Sequence, residues 1–588
     1  MAAQSEPASL QQETLRRRLP VVVAGLIVIS IALVTRMVLF QAPRDPRLEA
    51  YLQAVRDANY SSTQRQTSAR GIIYDRTGQR LAVNALQYRV GISANLVSDP
   101  DFMVQQLSTI LNLDPLKVNE IVRSGVPYAL LATNVDPQTY QQIAALNSVA
   151  IVAEQIPRRY YPQGSLAGQI IGFVAGDGDT FRGYNGIEGY YERELAGRTR
   201  QAEITINPLE LPSDDAPEKG QDLVLTIDRD IQFLVESTLA SAIESSGAVS
   251  GNIIVMDPMT GDILAMASWP PLDPNNIPLN DERLLRNPAI SDIYEPGSVM
   301  KVITMAAALQ AGAITPDWVY NDEGVYLVGG EEIRNWDGQA YGIVDAETVI
   351  VESLNIGASK IAVEALGRNA FYSYLTAFGF GSRTRVDLEG EQLGRLRIPG
   401  DETWSESDLG VNAFGQGMAV TPLQMLNAIN AIANGGLLMQ PRVVKQVIHG
   451  QEVTNIEPIF IRRVISEEVA RQVTSMMVAA VERGLDGRAS VEGYTVAGKT
   501  GTAEIPSPVG YVTGATIATF VGFLPADAPQ VSILVKLDRP KTAIFASQIA
   551  APVFQALAER LVTYLEIPTD EDRRYLVAEG GIVGALRP

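Results

Sequence analysis

The chain has 588 residues, no cysteine and a single histidine, His449. Thiol nucleophiles, disulfides and thiolate or multi-histidine metal sites are thereby excluded; a serine–histidine–carboxylate triad would have to rest on His449, so acyl or hydrolytic chemistry points to lysine or a carboxylate as its base. The net charge of -20 argues against a general nucleic-acid binder, while 46% hydrophobic content supplies a large core for roughly four units of about 150 residues.

The first predicted element is Leu19 to Phe40, LPVVVAGLIVISIALVTRMVLF, almost wholly apolar. Its length as a helix is about 33 Å, enough to cross a hydrocarbon core of roughly 30 Å. Arg36 lies near the end of the span, where its side chain can snorkel. Arg16, Arg17 and Arg18 precede the span. The positive-inside rule then predicts residues 1–18 as a cytoplasmic tail, 19–40 as the single transmembrane helix, and everything beyond as extracytoplasmic. A cleaved signal peptide is the competing reading, disfavoured by the length of the run and the lack of an A-x-A-like site.

Residues 41–66 read as a polar stalk. In ARGIIYDRTGQRLAVN, Asp75-Arg76-Thr77-Gly78 is a turn between two apolar runs, a hairpin signal. Residues 101–146 carry helical periodicity. The Pro- and acid-rich stretch 206–220 reads as a linker, dividing a module at 67–215 from a domain at 216–566. That domain opens on a second predicted hairpin, 251–256 with 263–267 about Asp257–Gly261. Residues 285–480 look mainly helical, and strand-like runs return near Val496, Thr519–Phe523 and Val531–Leu537. Strands, a helical block, then strands again predict an α+β domain with helices covering an antiparallel sheet. Residues 567–588 read as a charged C-terminal tail. His449 falls in no motif and reads as a structural or surface residue.

Three short motifs carry the chemistry. The first is Ser298-Val299-Met300-Lys301, in YEPGSVMKVITMAAALQAG. Ser298 is predicted to open a helix running to about Gly312, so Ser298 and Lys301, three residues apart, share a face. The rest of that helix is apolar all round, as buried helices are. A lone lysine on it is costly, and that cost suits a general base: half-neutrality near pH 7 requires a fall of about three units, roughly 4 kcal/mol. Burial and a second cation can supply it. Ser-x-x-Lys occurs once in the chain, although a match by chance is the competing reading of such a short pattern.

The second motif is Ser353-Leu354-Asn355. Ser353 can relay a proton, and Asn355 can bond a substrate amide or hold Lys301. Ser93-Ala94-Asn95 and Ser250-Gly251-Asn252 fit the same template, but only Ser353 lies between the other two motifs. The third is Lys499-Thr500-Gly501-Thr502, following an entering strand. Lys499 offers a cation for a carboxylate or for tuning Lys301, Thr500 and Thr502 offer hydroxyls, and Gly501 would let a substrate backbone approach. A helix N-cap is the bland alternative for the second motif and an exposed turn for the third.

Ser-x-x-Lys, Ser-x-Asn and Lys-Thr-Gly, in that order over about 200 residues, resemble the serine penicillin-recognising acyltransferases. Leu354 stands where Ser-Asp-Asn would have Asp, a slot the family varies. IIVMDPMTGDILAMAS (253–268), VNAFGQGMAVTPLQMLNAINAIANGG (411–436) and ATFVGFLPADAPQVSILVKLD (518–538) resemble further parts of that domain. Upstream, RGIIYDRTGQRLAVN, RRYYPQGSLAGQIIGFV (158–174) and GYNGIEGYYERELAGR (183–198) resemble the non-catalytic module of class B penicillin-binding proteins.

The resemblance implies a single membrane helix, an elongated β-rich pedestal or dimerisation module, and a serine β-lactamase-like transpeptidase domain. It implies a peptidoglycan D,D-transpeptidase without metal or cofactor. Ser298 would attack the penultimate D-Ala carbonyl of a stem peptide and Lys301 would take its proton. The backbone N–H groups of Ser298 and Thr502 would form the oxyanion hole. Ser353, helped by Lys499, would protonate the leaving amine, while Lys499, Thr500 and Thr502 would hold the substrate carboxylate. β-Lactams would acylate Ser298. The implied partners are stem peptides and a polytopic SEDS-type glycan polymerase, with no nucleic acid. The implied setting is a bacterial plasma membrane, in division or sporulation more than elongation. Two rival readings remain: a carboxypeptidase or β-lactamase using water as acceptor, and a membrane-tethered sensor without turnover.

Overall fold

The computed structural model describes residues 9–41, 61–66, 69–176, 182–197, 200–205, 218–278, 280–507 and 510–578. Most of the predicted stalk, the linker at 206–217 and the last ten residues of the predicted tail lie outside them. The chain divides into two units, Met1–Ser68 with Arg198–Pro217, and Ala69–Gly197 with Glu218–Pro588.

In the first unit the helix Ser9–Gln41 contains a stretch, Arg18–Val38, long and apolar enough to cross a membrane. None of that stretch is buried, as a lipid-facing helix requires. Strand Ser61–Gln66 pairs antiparallel with Arg200–Thr205.

The second unit is built on an antiparallel sheet of five strands. Their order is Ile263–Trp269, Ser250–Met256, Val531–Asp538, Gly510–Leu524 and Ala497–Ser507. Strand alternation sorts their apolar residues onto two faces. Ile253, Val255 and Phe520 join one core with the helices Arg229–Ser246 and Ala546–Tyr564. Ile254, Met256, Val521 and Leu534 join the other core, with the helices Met300–Gln310, Pro422–Ala433 and Glu467–Gly484. Because it is covered on both faces, this sheet reads as near-continuous apolar runs. Met300 to Leu309 are all buried, in keeping with the all-round apolarity of that helix.

The upstream part of the unit carries its own small core of Val90, Ile92, Leu107, Val118 and Ile143. Three helices surround it: Pro100–Leu111, Pro115–Val122 and Pro137–Ala144. Each begins Asp-Pro. The Asp side chain caps a free backbone N–H and the proline sits where no N–H is needed. The predicted turn at Asp75 is present, with the Asp75 carboxylate accepting from Thr77 N and Gln79 N at 2.9 and 2.7 Å. The other carboxylate oxygen accepts from Arg229 N at 3.1 Å, tying the turn to the start of the helix Arg229–Ser246. A second sheet runs from Glu452–Asn455 through Val444–His449, Asp222–Leu225 and Ile73–Tyr74 to Arg80–Ile92, so one ladder spans both parts of the unit. His449 is half exposed at a strand end, 3.1 Å from Glu218.

Three expectations are corrected. The helical stretch 101–146 is interrupted by strand Ala129–Val135, whose unpaired backbone is drawn into a ladder with Arg80–Ile92. The region 285–480 contains short strand pairs, among them Val319–Asp322 with Gly342–Asp345 and Leu437–Met439 with Phe460–Arg463. The segment after Thr569 is not a loose tail: Asp570–Ala578 is a helix. Arg573 is buried there, bonding the Pro568 carbonyl at 2.9 Å and pairing with Asp570 and Asp527.

Candidate active site

The turn Gly297–Val299, in 3-10 geometry, leads into the helix Met300–Gln310. Ser298 therefore sits in the entering turn and not in the α-helix proper. Gly297 adopts φ +58, which glycine adopts without steric cost. Its N–H donates to Gly415 O at 3.1 Å, and a Cβ on Gly415 would lie 2.3 Å from Gly297 O. Thr304, one turn further on, donates its hydroxyl to Ala413 O at 2.8 Å. The segment 413–417 is thus a platform under the serine turn.

Lys301 is 1% exposed. Its Nζ lies 3.0 Å from Ser298 Oγ and 3.2 Å from Ser353 Oγ, and it donates to the Ser353 carbonyl. Lys499 Nζ lies 3.1 Å from the same Ser353 Oγ, 3.3 Å from Thr500 O and 3.4 Å from Thr500 Oγ1. Among the described residues neither lysine has a carboxylate in salt-bridge range. Burial pushes the Lys301 amine well below its ordinary range, and the nearby Lys499 charge adds to the fall. Burial pushes Lys499 down to about 8.

Ser353 sits at φ +58, a left-handed conformation that costs a non-glycine residue about 1–2 kcal/mol. It joins the helices Ala346–Val351 and Asn355–Lys360, and it turns both its carbonyl and its hydroxyl onto Lys301. The other two Ser-x-Asn matches lie elsewhere, in a 3-10 turn at Ala94–Leu96 and in strand Ser250–Met256.

The Lys-Thr-Gly motif lies on the edge strand of the five-stranded sheet, so among the described residues one side of its backbone has no neighbouring strand. Lys499 and Thr502 are placed by their register against Val521 and Ala518. Thr502 Oγ1 accepts from Ala546 N at 3.1 Å, at the start of the helix Ala546–Tyr564.

Two expectations about roles change. Gly501 is required by the protein's own packing, because a Cβ there would stand 2.7 Å from Pro296 O and 3.0 Å from Val299 Cγ2. Asn355 is not among the hydrogen-bond partners of Lys301, which are Ser298 and Ser353; its amide donates instead to Arg334 O at 2.9 Å, from the first position of the helix Asn355–Lys360. Ser298, Lys301, Ser353 and Lys499 are brought together as one hydrogen-bonded chain.

Further residues border this chain. Glu295 directly precedes Pro296-Gly297; a lone carboxylate beside an apolar helix was the signal available for it. Trp336 donates its ring N–H to Glu352 O at 3.1 Å, and its ring meets Phe545 edge-on at 5.7 Å. That contact joins the flank carrying Ser353 to the flank carrying Thr502. Chemically, the arrangement offers a hydroxyl beside an amine with a lowered proton affinity, a second amine one hydroxyl away, and an open strand edge.

Residues 251–559 match the penicillin binding protein transpeptidase domain, and residues 65–225 match the penicillin-binding protein dimerisation domain. The chain is 33% identical to stage V sporulation protein D of Bacillus subtilis, over 82% of this chain and 76% of that one. It is 30% identical to the probable peptidoglycan D,D-transpeptidase PenA of Neisseria gonorrhoeae, over 86% of each. The crystal structure of penicillin binding protein 3 from Mycobacterium tuberculosis complexed with aztreonam superposes with a TM-score of 0.68 at 28% identity, covering 86% of this chain and 98% of that one.

Proposed function

The chain belongs to the class B penicillin-binding proteins, the family of peptidoglycan D,D-transpeptidases, and from that membership we propose that Ser298 is the acylated nucleophile and Lys301 its general base. The supporting observation is the 3.0 Å contact between Ser298 Oγ and a buried Lys301 amine that has no carboxylate partner among the described residues.

Ser298 Oγ gives its proton to Lys301 and forms an ester with the penultimate D-Ala carbonyl. The C–N bond to the terminal D-Ala breaks, and that amine leaves with a proton passed from Lys301 through Ser353. Lys499 lies within 3.1 Å of Ser353 Oγ and favours the release of that proton. The N–H groups of Ser298 and Thr502 stabilise the tetrahedral oxyanion, the kind of donor worth about 3 kcal/mol or more. Lys499, Thr500 and Thr502 hold the substrate carboxylate, and the stem peptide lies along the open edge of the Lys-Thr-Gly strand, as extended peptides do on sheet edges. A neighbouring stem amine then attacks the ester, gives up a proton to Lys301, and Ser298 Oγ is re-protonated. A β-lactam acylates the same oxygen. Asn355 offers its carbonyl oxygen to a substrate amide, while its Nδ2 donates to Arg334 O.

The membrane helix anchors the enzyme with its N-terminus cytoplasmic, by the arginines at 16–18, and with the catalytic part outside. That helix and the upstream module are the surfaces offered to a glycan polymerase. The relative named stage V sporulation protein D favours a division or sporulation role over elongation.

The deciding experiment supplies a pentapeptide stem donor together with an amine acceptor and separates the products. Cross-linked product is expected; hydrolysis alone would make the chain a carboxypeptidase, and binding without turnover would make it a sensor.

A further inference from the structure

Glu295 is 3% exposed, and no arginine or lysine forms a salt bridge with it among the described residues. Its two oxygens are used separately. One accepts from Gly417 N at 3.1 Å, and the other accepts from the Tyr511 hydroxyl at 3.2 Å. Gly417 ends the platform segment beneath the serine turn. Tyr511 stands on the return strand Gly510–Leu524, close to the far end of the hairpin whose other strand carries Lys499 to Thr502. A carboxylate three residues before Ser298 therefore joins the serine's platform to the hairpin that carries the third motif.

The two parts already meet without room to spare. Gly501 has no space for a Cβ against Pro296 O, and a Cβ on Gly297 would approach Thr502 O to 3.3 Å. Such backbone contacts set a distance but do not stop the hairpin from tilting along its length. A second tether away from the pivot does. Tyr511 is 42% exposed, so its ring contributes little to any core and its hydroxyl is its specific contact. Burial raises the proton affinity of that hydroxyl, and Glu295 raises it further, so it remains a donor. Burial also raises the Glu295 carboxyl, against the Gly417 and Tyr511 bonds and the more distant Arg395 and Arg397.

We propose that Glu295 is a positioning residue: through Tyr511 it latches the Lys499–Thr502 hairpin onto the serine turn, and so fixes the Thr502 N–H relative to Ser298 Oγ. The latch rests on the reading of Ser298 as the acylated residue. It acts on the geometry of bond formation and leaves first binding of the ligand unchanged.

The test measures pre-steady-state acylation by a fluorescent penicillin, which separates the dissociation constant of the non-covalent complex from the acylation rate constant. Tyr511→Phe and Glu295→Gln are each expected to lower the rate constant about tenfold, the size of one hydrogen bond to a charged group. The dissociation constant is expected to stay unchanged. The double variant is expected to be no slower than Glu295→Gln alone, since both changes break one link. Amide hydrogen exchange across 503–512 is expected to quicken in each variant, a readout independent of acylation. An unchanged rate constant in Tyr511→Phe, losses that multiply in the double variant, or unchanged exchange would each overturn the latch. Failure of the wild-type protein to label at Ser298 would overturn the catalytic reading instead, and the exchange measurement would still decide the latch.

Discussion

Glu188 and Lys301 are both fully buried ionisable side chains, one in the upstream module and one in the active site, and the protein surrounds them in opposite ways. Glu188 receives Arg70 Nε and Arg159 Nε at 2.6 Å each, with the Tyr161 hydroxyl at 3.4 Å. Arg70 also pairs with Glu192, and Arg159 donates to Gly71 O. Burial alone would raise the Glu188 carboxyl, but Arg159 and Arg70 outweigh it and hold the group below its usual range. Among the described residues Lys301 meets only neutral oxygens and a second lysine, so burial goes unopposed and its proton affinity falls. Neutralised charge makes a rigid joint between distant segments. Charge left without a counter-ion makes a base, at a cost in stability that active sites commonly carry.

This contrast can be broken at either end. The largest effect is expected for Lys301→Met, which keeps the volume and removes the amine. Acylation by penicillin should fall about 10²–10⁴-fold, the usual worth of a general base. Labelling kinetics on folded protein check it, and a loss of less than tenfold would remove Lys301 from the role of base.

Next comes Glu188→Gln. Removing the carboxylate leaves two buried guanidinium groups facing a neutral amide, and stability should drop by about 3–5 kcal/mol. Denaturant unfolding reads it. The same change should leave the acylation rate of the protein still folded nearly intact, whereas a large kinetic loss would mean that the two regions do not divide the work as described.

The smallest effect is expected for Lys499→Met. The folded Lys499 titrates at about 8 against an ordinary value of 10.5, so between those limits the unfolded chain binds the extra proton. Wild-type stability therefore rises with pH through that window and is lowest below it. The methionine variant should melt a few degrees higher than wild type at neutral pH, by a margin that shrinks to nothing above about pH 10.5. A margin constant with pH would place the gain in packing and not in the lysine charge.

How far the chain could be read in advance follows the same division between local and distant causes. Ser298 and Lys301 are three residues apart at a helix start, so local geometry alone foretells their contact. The turn at Asp75 and the hairpin about Asp257–Gly261 were legible for the same reason, since turn residues act within four or five positions. Ser353 was only one of three candidates, because what selects it is a left-handed backbone and a fold that carries it 52 residues back to Lys301. Gly501 was legible as a special position but for a different cause, its close packing on Pro296. Glu188 left no periodic signal, its arginine partners lying 118 and 29 residues away. Arg573 turned a charged segment into a docked helix through Asp527, 46 residues upstream.

The pH dependence of acylation by benzylpenicillin tests the central claim, that an unneutralised Lys301 serves as the base. The second-order rate constant should rise through one ionisation well below 10.5 and fall again as Lys499 loses its charge at about 8, with Lys301→Met lacking the rise and Glu188→Gln keeping its midpoint. A rate that climbs only in the range of an ordinary lysine, or a rise that persists in Lys301→Met, would contradict it.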